Sequence, residues 1–296
     1  MNPSVLSSPA SAAALDPALG LRGDYSHMDG DWVTSQNWED YSQAEHDLWR
    51  QLYARQVGVA RKYAADAFLA GLETLRMPVD HIPRFEEASA RLRALTNWTI
   101  VPVPGLIPED AFFLHLAKRQ FPVTVWLRRP DEVDYLVEPD VFHDFFGHVP
   151  LLSQPVFADY LQEYGRKGIE AIELGTTKML TRLFWYMVEF GLIRGEDGVK
   201  AYGAGMLSSA TETAFSVDSL QPHRIRFDLC RVMRTDYRID SFQQTYFVID
   251  DFAELFSAMQ QPFAPLYAAV KQQPLIPATQ LLGSDTVLQA GTQKHS

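Results

Sequence analysis

Two histidines five residues apart, His143 and His148, constrain this chain more than any other feature. On a regular α-helix, residues five apart point about 140° away from each other around the axis, so one unbroken helix cannot bring both imidazoles to one ion. A glycine past a helix end can adopt the left-handed conformation, and a proline prevents the helix from resuming. Because Gly147 and Pro150 stand in these positions, we expect a helix that starts near Asp140 and breaks at the glycine.

Glu189 is the third candidate ligand, and it lies in an otherwise apolar helical pattern. Its neighbours one helical turn away are all apolar or aromatic: Trp185, Tyr186, Leu192 and Ile193. Burying an unpaired carboxylate among such groups is costly or forces its protonation, and a divalent metal removes that penalty. An ion pair with Arg182 or Arg194 is the alternative explanation, and the residues alone leave it open.

Two imidazoles and one carboxylate leave half of an octahedral coordination sphere open. This is the ligand set of non-haem Fe(II) oxygenases, in which oxygen and a cosubstrate approach the open positions. Hydrolytic zinc sites also use two histidines and a glutamate, but they commonly place the histidines four apart on one helical face with the glutamate between them. Residues 144–147 are Asp-Phe-Phe-Gly, without that glutamate, so iron is favoured.

Composition narrows the class of partner and compartment. The formal net charge of −11 argues against nucleic acids and anionic membrane surfaces as binding partners, since both attract basic patches. Cys230 is the only cysteine, which excludes an intrachain disulfide, and we expect it to be a buried thiol on a strand. No apolar run approaches the length of a membrane span. A secretory signal begins with basic residues, but no basic residue precedes Arg22, so no such signal is expected. A cytoplasmic protein is expected.

The apolar pattern predicts one mainly helical domain with short β-ribbons. Residues 1–24 are rich in Ser, Ala and Pro and are expected to form a disordered leader, and residues 276–296 an irregular tail. The 3.6-residue period predicts helices between residues 38 and 95 and near residues 156–166, 177–193 and 199–214. Short strands are predicted at residues 98–103, 123–127, 225–232 and 245–249, and Asp250 is the expected N-cap of a further helix.

Three separated motifs carry a family resemblance. Residues 143–151 read HDFFGHVPL, residues 183–192 read LFWYMVEFGL, and residues 200–209 read KAYGAGMLSS. Together they closely resemble the pterin-dependent aromatic amino acid hydroxylases, and in particular the short bacterial phenylalanine 4-hydroxylases. The resemblance runs from about residue 24 to residue 274, so it covers a catalytic domain, assigned here to residues 25–275. It implies neither a regulatory domain nor an oligomerisation helix, and a monomer is expected.

The resemblance implies a basket-like, mainly α catalytic domain that converts L-phenylalanine to L-tyrosine with O2 and a tetrahydropterin. The tetrahydropterin is tetrahydrobiopterin or a related compound. It makes His143, His148 and Glu189 the Fe(II) ligands. It assigns substrate binding to Arg128, Trp185, Phe190, Gly205, Ser208, Tyr237 and Ile239. It assigns pterin binding to Gly105, Leu106, Ile107, Phe112, Asp144, Thr181 and Phe184. No residue is expected to act as a strong general base.

The pterin contacts and the identity of the substrate are the two points at which the resemblance leaves alternatives open. Asp144 replaces a common Glu and Phe184 replaces a Tyr, which changes the hydrogen bonds available to a pterin. Ile239 stands where tyrosine hydroxylases tend to carry Asp, so phenylalanine is the expected substrate. A tyrosine or tryptophan hydroxylase of the same family is the first alternative. A metal-dependent hydrolase and a non-catalytic binding protein are the others.

Overall fold

Helices form most of the protein. The computed structural model describes residues 21–134, 136, 138–239 and 241–292, so all but the last four residues of the predicted leader 1–24 lie outside it. Within the described ranges the α-helices are α1 Gln43–Tyr63, α2 Asp66–Thr74, α3 Phe85–Thr96, α4 Glu109–Ala117, α5 Pro155–Glu173, α6 Thr177–Leu183, α7 Ala204–Leu207, α8 Ala210–Asp218, α9 Leu229–Arg234, α10 Phe252–Met259 and α11 Phe263–Lys271. Short 3-10 helices lie at Tyr25–His27, Trp38–Asp40, Pro130–Glu132 and Val149–Ser153. The prediction of a mainly helical domain is confirmed.

The strands form two sheets rather than isolated ribbons. A parallel pair joins β1 Thr99–Val103 to β2 Gln120–Thr124. A second sheet has the order β4-β3-β6-β5-β7, with β3 Leu192–Gly195, β4 Gly198–Ala201, β5 His223–Arg226, β6 Thr245–Ile249 and β7 Val287–Gln289. Its central strand β6 pairs in parallel with both β3 and β5, and every residue of β6 is buried. Parallel strands covered on both faces are typically rich in apolar residues, and β6 reads TYFVI.

Several predicted elements differ from the observed ones. The predicted strand 225–232 ends at Arg226, because the Asp228 side chain accepts a hydrogen bond from the Arg231 N–H and caps α9. Cys230 is therefore a half-buried residue of a helix, and its expected place on a strand was wrong. Leu229, Val232 and Met233 follow helical spacing, which the alternation upstream obscured.

Two further boundaries were misjudged. Residues 199–214 do not form one helix, because Gly198 turns the chain with a φ of 130° and β4 pairs with β3 before α7 and α8 begin. The cap of α10 is Asp251, whose side chain accepts from the Glu254 N–H at 2.9 Å, rather than Asp250.

The C-terminal residues add an edge to the second sheet. β7 pairs antiparallel with β5, so the expectation of an irregular tail after residue 275 was wrong for Val287–Gln289. Asp285 forms a buried ion pair with Arg231 of α9 at 3.0 Å. Pairing with a strand about sixty residues earlier is a long-range contact, which local apolar periodicity does not report.

The chain before α1 packs on the loop that follows β1. Trp32, Val103 and Ile107 form a small buried cluster. The Tyr25 hydroxyl donates a hydrogen bond to the Leu106 carbonyl oxygen at 2.9 Å. The N-terminal segment thereby fixes the loop that the resemblance assigns to the pterin.

Close packing of α5 on α4 requires Gly168. A Cβ at this position would lie 2.1 Å from Cγ of Phe113, whereas one at the exposed Gly58 of α1 would meet nothing within 4 Å. We expect Gly168→Ala to lower the free energy of unfolding by about 1–3 kcal/mol through overpacking. Gly58→Ala, the matched control, should raise it by about 0.5–1 kcal/mol because alanine is the better helix former. Urea unfolding of both variants measures the difference, and equal effects would contradict the close approach.

Candidate metal centre and adjoining cavity

Two π-helices carry the three candidate ligands. His143 and His148 lie on Phe142–His148, and Glu189 ends Phe184–Glu189. A π-helix closes its hydrogen bonds between residues i and i+5, so residues five apart lie one above the other on the same face. The expected break at Gly147 was wrong, because Gly147 is not among the residues with a positive φ and the wide turns continue through it.

The ligand atoms converge on one point. One atom from each of His143, His148 and Glu189 lies within 4.8 Å of the other two. The Glu189 oxygens lie 3.3 Å from His148 Nε2 and 3.6 Å from His143 Nε2. The alternative ion pairs are wrong, because Arg182 donates to the Lys178 carbonyl oxygen and Arg194 pairs with Asp250.

The site favours the ligand forms of these groups. Burial lowers the pKa of His143 to about 4, so its imidazole is neutral at pH 7. Burial alone would raise the pKa of Glu189, but the two imidazoles and the Gly205 N–H hold it below its usual value. The Ser208 hydroxyl lies 2.9 Å from His143 Nδ1 and engages that nitrogen. A metal-ligating histidine typically uses its other nitrogen in this way, which leaves Nε2 for the ion.

Arg128 and Asp140 form a buried ion pair beside the ligands. Nε and Nη2 of Arg128 donate to the two carboxylate oxygens of Asp140, each at 2.8 Å. Asp140 also accepts from the His143 N–H at 2.9 Å, so one carboxylate fixes both the arginine and the start of the ligand helix. The sequence indicated Asp140 only as a helix start. Its pairing with Arg128, twelve residues earlier, is a tertiary contact.

A cavity of about 130 Å³ opens beside the three ligands. All seven residues that the resemblance assigns to the pterin line it: Gly105, Leu106, Ile107, Phe112, Asp144, Thr181 and Phe184. The lining also includes residues that the sequence analysis did not assign to the site, among them Glu109, Phe121 and Tyr164. No signal in the sequence pointed to Glu109, because its link to the site is a tertiary contact. Its carboxylate accepts a hydrogen bond from the Thr181 hydroxyl at 3.0 Å.

Asp144 joins the first π-helix to β2. Its carboxylate accepts a hydrogen bond from the Thr124 N–H at 2.8 Å, and burial raises the pKa of Asp144 to about 7. Phe112 and Phe184 meet edge to face on the opposite wall, with ring centroids 5.5 Å apart. The cavity therefore combines aromatic rings with carboxyl groups, which suits a flat heterocycle that carries hydrogen-bond donors.

Two of the residues assigned to the substrate, Tyr237 and Phe190, pack against a third, Trp185. Trp185 itself lines the cavity. Tyr237 stacks on its ring at 4.6 Å and Phe190 packs against it at 4.8 Å. A Cβ on Gly205 would lie 3.1 Å from a Glu189 carboxylate oxygen, which explains the need for glycine there. Ile239 is half-buried against the core.

Comparison with known proteins decides the family. A model of the biopterin-dependent aromatic amino acid hydroxylases matches residues 27–286. The chain belongs to this family. A phenylalanine-4-hydroxylase of Ralstonia nicotianae is 47% identical over 98% of this chain and 97% of that protein. Another, of Chromobacterium violaceum, is 51% identical over 91% of each.

Solved structures agree with the family assignment. The crystal structure of phenylalanine hydroxylase from Chromobacterium violaceum bound to cobalt has a TM-score of 0.87 and 51% identity, over 89% of this chain and 95% of that one. The chain thus shares its fold with a hydroxylase whose crystal structure contains cobalt. Among the described residues of the present chain, no helix is long and apolar enough to cross a bilayer.

Removal of one ligand tests the metal centre. We expect purified His143→Ala, incubated anaerobically with Fe(II) and desalted, to retain less than about a tenth of the iron bound by the unmodified chain, because two ligands hold the ion far more weakly. The far-UV circular dichroism should be unchanged. His27→Ala is the control, since the His27 side chain is 80% exposed and should leave iron content intact. Full iron content in His143→Ala would contradict the assignment.

Proposed function

We propose that this chain is a phenylalanine 4-hydroxylase, which converts L-phenylalanine to L-tyrosine with O2 and a tetrahydropterin at an Fe(II) ion. The observation that carries the proposal is the junction of the His143, His148 and Glu189 triad with a cavity lined by every residue assigned to the pterin. The relatives named phenylalanine-4-hydroxylase support the choice of reaction. Tyrosine or tryptophan hydroxylation remains the alternative within the family.

The donor set fits Fe(II). Two imidazoles and one carboxylate that converge on one point match the ligand preference of a non-haem iron site with open positions, and His148 and Glu189 are buried. When bound, the iron and the tetrahydropterin supply the coordination positions and electrons for activating O2. The chain itself orients the partners and excludes water. Phe121 packs its ring over His148 at 5.0 Å, and Phe184 lies beyond the same imidazole.

Arg128 retains one edge of its guanidinium for a substrate carboxylate. Asp140 occupies the Nε and Nη2 edge, and a guanidinium has five N–H donors. The edge formed by Nη1 and Nη2 keeps donors, since Nη1 has only a 3.4 Å contact with the Val133 carbonyl oxygen. Two parallel N–H donors at this edge match a planar carboxylate. We propose that Asp140 orients Arg128 for this contact.

The aromatic layer supports phenylalanine as the substrate. Trp185 offers its ring to the cavity, with Tyr237 and Phe190 packed behind it. A hydroxyl on the substrate ring would need a hydrogen-bond partner, and Ile239 offers none. This wall therefore favours the ring that lacks a hydroxyl.

Two predictions concern the molecule as a whole. A monomer and a cytoplasmic location were expected from the sequence, and both stay predictions. Light scattering coupled to size-exclusion chromatography tests the first: a mass near 33.5 kDa would support it.

A substrate panel tests the proposed reaction. The anaerobically reconstituted Fe(II) protein is mixed with a tetrahydropterin, O2 and one of phenylalanine, tyrosine or tryptophan. We expect tyrosine to form from phenylalanine, with about one pterin oxidised per tyrosine, because the pterin supplies two electrons per turnover. Activity supported by zinc alone, or product formed without pterin, would exclude the hydroxylase and favour the hydrolase alternative.

Replacement of the guanidinium tests the carboxylate contact. Arg128→Lys keeps the charge but loses the planar fork, so kcat/KM for phenylalanine should fall at least about tenfold, roughly 1.4 kcal/mol of transition-state binding. Arg129→Lys is the matched control, because it makes the same substitution at the adjacent residue, whose side chain is exposed. Equal kinetics for the two variants would place the substrate carboxylate elsewhere.

A further inference from the structure

Gln243 connects Trp185, which lines the cavity, to the segment 237–239. It is 3% exposed and lies just before β6. Its Oε1 accepts a hydrogen bond from Trp185 Nε1 at 3.1 Å, and its Nε2 donates to the Arg238 carbonyl oxygen at 2.9 Å. One amide group therefore joins the second π-helix to the segment 237–239, which carries Tyr237 and Ile239.

The hydrogen bond restrains a motion of Trp185 that ring packing does not. Stacking by Tyr237, with an interplanar angle of 22°, fixes the plane of the indole. Rings that contact each other only through their faces can still slide and rotate within that plane. A hydrogen bond from the indole N–H to a fixed acceptor removes this freedom, since the bond weakens steeply away from linear geometry.

Gln243 is itself held by a buried carboxyl group on α8. Glu212 Oε1 accepts from the Gln243 backbone N–H at 3.1 Å and from the Tyr246 hydroxyl at 3.0 Å. Burial raises the pKa of Glu212 to about 7. A buried carboxyl with two donors aimed at one oxygen is costly to keep, and such groups specify a unique local geometry. The network thus runs from α8 through the start of β6 to the cavity wall.

We propose that Gln243 is a positioning residue for phenylalanine recognition. It holds Trp185 and the segment 237–239 in one register, so that the two surfaces meet the substrate ring together. This inference rests on the proposed function. A site that must hold a substrate ring in one orientation depends on such supporting contacts, because small displacements of a wall reduce productive binding.

Gln243→Leu removes both side-chain hydrogen bonds at similar volume. We expect KM for phenylalanine to rise about tenfold, while KM for the tetrahydropterin changes less than about twofold, because the hydrogen bonds of Gln243 run to Trp185, Glu212 and Arg238 and not to the residues assigned to the pterin. Amide hydrogen exchange in residues 237–243 should quicken independently of turnover. Should Gln243→Leu fail to fold, Gln243→Asn keeps the amide but is too short to reach both partners, and the same rise in KM is expected.

Two comparisons separate positioning from stability. Tyr246→Phe removes the other donor to Glu212 but leaves the Gln243 side-chain contacts, so it should lower Tm without changing KM for phenylalanine. Trp185→Phe removes the indole N–H, and in that background Gln243→Leu should add less than half of its effect on log KM. Additive effects in this double-mutant cycle, or an unchanged KM in Gln243→Leu, would overturn the inference.

The proposed function is tested separately by the same samples. If the unmodified protein forms no tyrosine from phenylalanine, the proposed function fails and the role in recognition fails with it. If the unmodified protein forms tyrosine and Gln243→Leu keeps the KM of the parent, only the role of Gln243 is refuted.

Discussion

Burial of the Glu189 carboxylate is the constraint on which the rest of the site depends. It lies among aromatic side chains with an exposed fraction of 5%, where an uncompensated charge would be costly. The two imidazoles and the Gly205 N–H compensate it in the protein chain, and a divalent ion would complete the compensation. The two arginines nearest in sequence bind elsewhere: Arg182 donates to the Lys178 carbonyl oxygen and Arg194 pairs with Asp250. The carboxylate is therefore reserved for a ligand that the chain does not supply.

This requirement explains the unusual helices. To bring three ligand atoms within 4.8 Å of each other, both ligand-bearing helices widen to π geometry. A π-helix is rare because its hydrogen bonds and packing are poorer than those of an α-helix, and it is frequent at functional sites. Asp140 stabilises the first one by accepting from the His143 N–H, and Asp144 ties it to β2.

The cavity is divided between two sets of contacts. On one side the loop after β1, held by Tyr25, faces Phe112 and Phe184. On the other side Trp185 is supported by ring stacking and by the Gln243 amide. The proposed oxidation needs two organic molecules beside one ion, so independent fixing of the two walls lets each be positioned without disturbing the other. Both polar supports, the Tyr25 hydroxyl and the buried Gln243 amide, have an identified hydrogen-bond partner.

The sequence alone determined the candidate ligand set, the family and most helices, because these depend on residue identity and local periodicity. His143, His148 and Glu189 could be recognised since their types and spacing restrict the chemistry whatever the fold. The sequence also showed that an i, i+5 pair is incompatible with an α-helix, yet it suggested a break at Gly147. Tertiary structure decided otherwise: a Cβ at Gly147 would lie 3.0 Å from Ala204, so the glycine allows α7 to approach while the helix widens instead of ending. Asp140 with Arg128, Gln243 with Trp185 and β7 with β5 escaped prediction for the same reason. Each is a contact between distant parts of the chain, and its energy exists only once both parts have been brought together.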